Sequence, residues 1–330
     1  MAEQPIRIGT LGAATITPMA LIRPARRVPR ANVVAVAARN PEKAAAFATK
    51  HGIPTVHADY AALIADPGID AVYNPLPNSL HAEWTIAAVA AGKHVLCEKP
   101  FASNAAEAVD MAAAARVHSR AVMEAFHWRY HPLAARMREI LTGGDIGDVE
   151  HYEVQFCIPL PPMRPDIRYD FGLAGGATMD LGCYAINMIR FLAGAEPTVE
   201  WAQAKLSSAQ VDQQMLAELA FRDGRSARFR VSMWGWPPLR MAIDVRGTHG
   251  TMHVFNPLQP KIYNRIKLDT QTGTRAEHVR GRFTYEHQLE AFCDAILDGE
   301  KFPTTPEDAI SNMRVIDAVY EAAGLDARGN

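Results

Sequence analysis

Two hydrophobic rhythms divide the 330-residue chain. Up to about residue 125, short apolar or β-branched runs alternate with Ala-rich stretches of helical length. The runs at 6–12, 33–38, 71–75, 94–97 and 121–126 predict strands, and the stretches at 40–52, 59–66, 79–92 and 104–119 predict helices. Strand-helix alternation of this kind implies a parallel sheet covered on both faces. The helix boundaries carry their own chemistry. Asn40 is placed to cap a helix with Pro41 at its first position, and Asn104 with Glu107 resembles a capping box. Gly52 and Gly92 suit the left-handed residue just past a helix end.

After about residue 130 the period changes to two. Residues 151–158, 199–206, 214–221, 226–234 and 240–247 alternate apolar with polar, the mark of an antiparallel sheet with one covered face. Helices at about 132–142, 177–193, 285–298 and 306–323 are available as cover. The pattern predicts two domains, 1–126 and 127–330. It also leaves one broad sheet face open, which points to a homodimer or homotetramer built through residues such as Val154, Phe156, Leu219 and Phe229.

Composition narrows the partners. With 34 Lys plus Arg against 36 Asp plus Glu and no block of like charge, nothing favours nucleic acid or an anionic membrane. The expected partner is a small molecule. Cys97, Cys157, Cys183 and Cys293 lie far apart without a CxxC pair, so neither a disulfide scaffold nor a metal site is expected. They suit buried thiols in a reducing compartment. The first residues show no basic stretch followed by an apolar run, and nowhere do about 18 apolar residues follow one another. A cytoplasmic protein is expected.

The turn after the first predicted strand holds Gly12-Ala13-Ala14-Thr15-Ile16-Thr17, in the register of a GxGxxG phosphate loop with Ala14 and Thr17 replacing two glycines. Taken alone, the match also fits an ordinary tight strand-to-helix turn. The end of the second strand adds to it. A site for the ribose 2′-hydroxyl of NAD would place an acidic residue near Ala38, and none is there. Arg39 and Lys43 follow instead, two cations suited to a 2′-phosphate, so NADP(H) is expected over NAD(H).

The fifth strand runs into "HVLCEKP", which delivers Glu98 and Lys99 to a strand end where open α/β sheets bind ligands. The stretch "GKHVLCEKPFASNAAEA" resembles the Gfo/Idh/MocA oxidoreductase family. The similarity extends through 75–88, 124–132, 175–194 and 285–292, and Tyr184 resembles the dimeric dihydrodiol dehydrogenase and NADP-dependent D-xylose dehydrogenase branch. The resemblance implies an α/β chain, with an N-terminal Rossmann-type doubly wound parallel sheet and a C-terminal α+β domain carrying a large, mainly antiparallel open-faced sheet. It implies Lys99, Asp180 and Tyr184 as catalytic residues. Gly12, Ala14, Thr15, Ile16, Arg39, Lys43, Leu76, Asn78, His81, Glu98, Lys99 and Arg129 are implied to line the cofactor. His127, Phe156, Arg168 and Asp180 are implied on the substrate side, and Arg164 is a further candidate in the 159–176 loop.

From spacing alone Tyr184 reads more readily as a half-buried aromatic anchor on a helix, and it is the family resemblance that favours a chemical role. Asp180 and Tyr184 stand four apart in a helical stretch and share a face. Oxidising an alcohol requires a base for the hydroxyl proton, and a tyrosine with pKa about 10 is a poor one near neutrality. A cation about 4 Å away contributes on the order of several kcal/mol towards tyrosinate, a role suited to Lys99. The expected activity is NADP(H)-dependent hydride transfer to or from a sugar, cyclic polyol or trans-dihydrodiol. The alternative is a non-catalytic NADP(H)-binding sensor or scaffold, which would have little need of these three residues together.

Overall fold

The computed structural model describes residues 4–161, 166–235 and 237–329. Arg164 lies outside the described residues. The chain divides into two compact units, the first formed by Met1–Tyr130 with Tyr285–Ile310 and the second by His131–Thr284 with Ser311–Asn330.

The first unit is built on strands β1 (Ile6–Leu11), β2 (Ala31–Ala37), β3 (Thr55–His57), β4 (Ala71–Asn74), β5 (His94–Cys97) and β6 (Val122–Glu124). They form one parallel sheet in the order β3-β2-β1-β4-β5-β6, with strand order reversing between β1 and β4. Among its helices are α1 (Arg23–Ala25), α2 (Pro41–His51), α3 (Tyr60–Ala65), α4 (His81–Ala90) and α5 (Ala105–Val117). The expected caps are present. The Asn40 side chain accepts from the Lys43 amide at 2.9 Å, and Gly52 ends the helix at φ +74°. Asn104 accepts from the Glu107 amide at 2.9 Å, and the Glu107 carboxylate accepts from the Ser103 amide at 2.8 Å.

Among the described residues, the second unit holds α6 (Pro132–Thr142) and α7 (Cys183–Ala193) together with eight strands. These are β7 (Val149–Cys157), β8 (Thr198–Ser208), β9 (Val211–Ala220), β10 (Ser226–Ser232), β11 (Arg240–Gly247), β12 (Gly250–Phe255), β13 (Arg265–Thr270) and β14 (Gly273–Glu277). Their order is β14-β13-β12-β11-β7-β10-β9-β8. All neighbours are antiparallel except β7 and β10, which pair in parallel. Helix α7 packs on β7 and β10, and it is buried almost all round, from Cys183 through Arg190.

Two expectations change here. The helix at 285–298 was expected as cover for the second sheet, but α8 (Thr284–Leu297) lies almost wholly in the first unit, and so does the start of α9 (Pro306–Ala322). Long-range contacts accompany this: α8 buries Tyr285, Leu289, Phe292 and Cys293, Arg30 pairs with Asp294 and Asp298 at 2.6 Å each, and the Glu124 amide donates to Thr304 O at 3.0 Å. The second change concerns sheet parity. Val154, Phe156, Leu219 and Phe229, expected at a subunit interface, are essentially inaccessible and form the covered face. The open face carries the opposite parity, with Glu153, Gln155, Glu218, Arg228 and Arg230 in register across β7, β10 and β9. Apolar side chains gain by burial beneath α7, whereas these charged and polar groups would lose hydration there.

This assignment predicts unequal costs. Phe229→Ala is expected to lower unfolding stability by about 3–5 kcal/mol, because it removes a fully buried ring and leaves a cavity. Glu218→Ala on the same sheet should stay within about 0.5 kcal/mol. Urea denaturation of both variants checks the order.

Candidate active site

In a parallel sheet all strands end on the same edge, so loops that follow different strands become neighbours there. The loop after β1 begins at Gly12, whose φ of +81° suits a residue without Cβ. Its amide donates to Ala37 O at 2.6 Å, and an added Cβ would lie 3.2 Å from Leu76 Cδ2. Ala13, Ala14 and Ile16 are partly exposed and Thr15 is exposed, ahead of a π-helical turn over Pro18–Ile22. Arg39 and Lys43 are exposed at the head of α2, beyond the buried Ala38. Asn78 is partly exposed in the turn before α4. These positions follow β1, β2 and β4 at the edge where the parallel strands end.

Buried polar contacts hold the loops after β4 and β5. Asn74 is inaccessible, and its Nδ2 donates to Thr85 Oγ1 at 3.1 Å and to His81 O at 3.2 Å. Tyr73 Oη donates to Glu98 Oε1 at 2.6 Å, and the Phe101 amide donates to Glu124 Oε1 at 2.9 Å. Lys99 is partly exposed between these buried neighbours, and the Lys99–Pro100 peptide is cis. Tyr73, Asn74 and Glu124 were not singled out from sequence. Their one signal was a hydrogen-bonding side chain inside or at the end of a strand buried on both faces.

His81 behaves differently from its assignment as a cofactor-lining residue. It is completely buried, with Nδ1 2.9 Å from Pro100 O and Nε2 2.8 Å from Leu76 O, so its ring ties the two loops together. Burial pushes it down to about 4, helped by the Lys99 charge and opposed by the two carbonyls. His127, assigned to the substrate side, is also almost wholly buried, its ring centroid 4.1 Å from that of Tyr285. Burial and then the charge of Lys99 push it down to about 3. Arg129, assigned to the cofactor, lies 3.5 Å from Asp308 and stacks over Trp128 at 5.8 Å.

In the second unit, Asp180 sits within a π-helical turn, Thr178–Gly182, that leads into α7. One residue more per hydrogen-bonded ring changes the aim of the side chains, and such turns often occur at functional sites. Asp180 is partly exposed, and Tyr184, in the first turn of α7, is 7% exposed. Arg168 reaches Asp180 Oδ2 at 3.2 Å and Asp166 Oδ2 at 2.9 Å. Burial opposes its charge, yet the two carboxylates prevail and hold it above its ordinary value. Phe156 is inaccessible in β7, which places it in the core and not on an accessible substrate surface. A cavity of about 440 Å³ is lined by Asp166, Ile167, Tyr169, Asp170, Phe171 and Leu173 among others, and its lining does not include Asp180 or Tyr184.

Residues 6–126 match the model of an oxidoreductase family with an NAD-binding Rossmann fold, and residues 134–253 match the Gfo/Idh/MocA C-terminal domain. The chain belongs to the Gfo/Idh/MocA oxidoreductase family. This family member is 36% identical to D-xylose 1-dehydrogenase (NADP(+)) 2 of Haloferax volcanii, across 97% of its own length and 98% of the relative's. It is 34% identical to trans-1,2-dihydrobenzene-1,2-diol dehydrogenase of Xenopus laevis, across 86% and 90%. A 3-ketoreductase from Actinomadura kijaniata, solved with NADP and TDP-benzene, matches its fold with a TM-score of 0.90 at 29% identity, covering 97% and 98% of the two chains. Among the described residues of this oxidoreductase, no helix is long and apolar enough to cross a membrane.

The buried histidines make stability depend on pH. Their folded pKa values lie below the ordinary value of about 6.5, so between pH 6.5 and 4 the unfolded chain binds more protons. Their contribution to stability is therefore fully present above about pH 6.5 and is lost as pH drops, on the order of 3 kcal/mol for each histidine at pH 4. Urea midpoints measured from pH 7.5 to 4.5 should show this decline, and His127→Leu should flatten it.

Proposed function

We propose that this oxidoreductase transfers a hydride between NADP(H) and a hydroxyl or carbonyl carbon of a sugar, cyclic polyol or trans-dihydrodiol. The observation that supports the reading is that the loops bearing Gly12, Arg39 and Lys99 all follow strands of one parallel sheet and so lie at the edge where those strands end. The donor set fits the cofactor. The Gly12–Ile16 loop precedes a helical turn whose amide end favours a pyrophosphate, Arg39 and Lys43 suit a 2′-phosphate, and nothing acidic replaces Ala38. The names of the relatives support NADP and a polyhydroxylated or ketosugar substrate.

When bound, NADP(H) supplies or takes up the hydride. The chain's own residues then have a proton to manage. Tyr184 exchanges it with the substrate oxygen, and the Lys99 ammonium stabilises the phenolate and donates a hydrogen bond to that oxygen. Asp180 orients the substrate hydroxyls, held in turn by Arg168. The same reading includes a homodimer or homotetramer in the cytoplasm, supported by the open sheet face with exposed Trp201, Leu206 and Phe255. Buried cysteines without a disulfide among the described residues suit a reducing compartment.

Arg39→Ala is expected to weaken NADP binding roughly ten- to a hundredfold, the scale of one hydrogen bond to a charged group, and to change NAD binding about twofold at most. Fluorescence titration with each cofactor decides it, since equal losses would mean that Arg39 does not recognise the phosphate.

Lys99→Ala and Tyr184→Phe should each reduce turnover severely with NADP binding retained. Because the two groups act as one unit, the double variant should be little worse than the poorer single one. Nicotinamide absorbance across a panel of aldoses, polyols and diols supplies the substrate for this test. Near-normal turnover in Tyr184→Phe on the best substrate would remove it as acid and base.

A further inference from the structure

Arg328 follows α9 and is completely inaccessible, an unusual position for a guanidinium. Its Nε donates to Gly175 O at 2.8 Å, one terminal nitrogen to Asp326 O at 3.0 Å, and the other to Asp212 Oδ1 at 3.1 Å. Its carbon lies 3.9 Å from the ring centroid of Tyr320 and 5.0 Å from that of Phe171. Asp212 is equally inaccessible and is the hub of the cluster. Its Oδ1 accepts from Tyr320 Oη at 3.0 Å, and its Oδ2 accepts from both the amide and the hydroxyl of Thr178 at 2.7 Å.

What this cluster grips is local and specific. Thr178 opens the π-helical turn that carries Asp180, and its amide is one of the donors that a helix start leaves without an intrahelical partner. Asp212, reaching across from β9, caps that turn from outside the helix. Gly175 and Gly176 end the loop that bears Arg168, and the Gly176 amide donates to Arg168 O at 2.8 Å while the Asp180 amide donates to Gly176 O at 3.0 Å. Gly176 stands at φ +137°, and any Cβ there would overlap Asp212 Oδ1 and crowd Tyr320 Oη. The loop end therefore lies directly against the buried ion pair.

We infer that Arg328 is a positioning residue for substrate: it keeps Asp212 charged and in place as the cap of Thr178, and through Thr178 and Gly175 it fixes Asp180 and Arg168 relative to one another. The inference rests on the proposed role of Asp180. A buried carboxylate is tolerated only with a hydrogen-bonded counter-charge, and removing that partner leaves the cap without its support. The planar fork meets three separate acceptors, a pattern that a lysine ammonium cannot reproduce at the same three points.

The test compares Arg328→Met and Arg328→Lys, in the full chain, with Ile243→Val, a core change in the same unit that serves as a stability control. Steady-state kinetics, NADP titration and amide hydrogen exchange of residues 175–184 are measured for each. Arg328→Met should retain NADP affinity within about twofold and lose about fiftyfold or more in kcat/KM, with KM for the substrate rising, whereas Ile243→Val should lose less than about threefold. Arg328→Lys should fall between them, and exchange at 175–184 should accelerate in the arginine variants alone. If Arg328→Met does not fold, Asp212→Asn combined with Arg328→Met removes both charges and should show the same KM and exchange effects. A kcat/KM within threefold of the control, or unchanged exchange, overturns the inference. Asp180→Asn separates the two readings: if it leaves KM and turnover unaltered, the proposed role of Asp180 fails and the Arg328 inference about substrate fails with it, while the exchange data still report whether Arg328 holds the turn.

Discussion

Parallel pairing constrains the first unit more than any other feature. Strands that share a direction cannot be joined by tight hairpins, so the chain must return through helices on the faces, and every strand ends on one edge. The loops bearing Gly12, Arg39, Asn78, Lys99 and Arg129 follow five different strands and meet there for that reason. Burial of the strands on both faces has a further consequence. Polar groups near the strand ends lose water and must find partners within the protein, and the contacts of Tyr73 with Glu98, Asn74 with Thr85, and His81 with two carbonyls do this. The same contacts give rigidity to the loops on either side of Lys99.

The second unit solves a different problem. A sheet with one apolar face needs cover, and α7, apolar nearly all round, supplies it while its first turn holds Tyr184. The cost is a helix start buried among polar amides. A π-helical turn and an external carboxylate, Asp212, meet that cost, and Arg328 and Tyr320 offset the charge so introduced. Asp180 occupies the same turn, so its placement depends on interactions made below it.

The fold alone does not establish chemistry, since sheets of this type host many activities. What distinguishes this chain is the set of residues mounted on it. The first unit carries a lysine at a strand end, and the second carries a carboxylate paired with an arginine and a tyrosine four residues further along. Both halves match one oxidoreductase family.

Local chemistry was legible in the sequence. Short continuous apolar runs alternating with helical stretches, against grouped runs of period two, separated the two kinds of sheet, and Asn40, Asn104, Gly52 and Gly92 marked helix ends because a cap depends only on residues a few positions apart. The strand-end position of Lys99 and the spacing of Asp180 and Tyr184 were readable for the same reason. Three strands, β12 to β14, and the short β3 escaped notice, being brief and mixed in polarity. Sheet parity could not be read, because alternation shows that two faces differ without showing which one a helix will cover. Nor could α8 be assigned to its unit, since that rests on burying its apolar face and on Arg30 finding Asp294 and Asp298 more than 260 residues away. Asp212 and Arg328 are 116 positions apart, and among 34 Lys and Arg and 36 Asp and Glu nothing local marks that pair. Short-range geometry is written into neighbouring residues, whereas the choice of long-range partners is made only when packing excludes water and leaves a buried charge with one neighbour able to neutralise it.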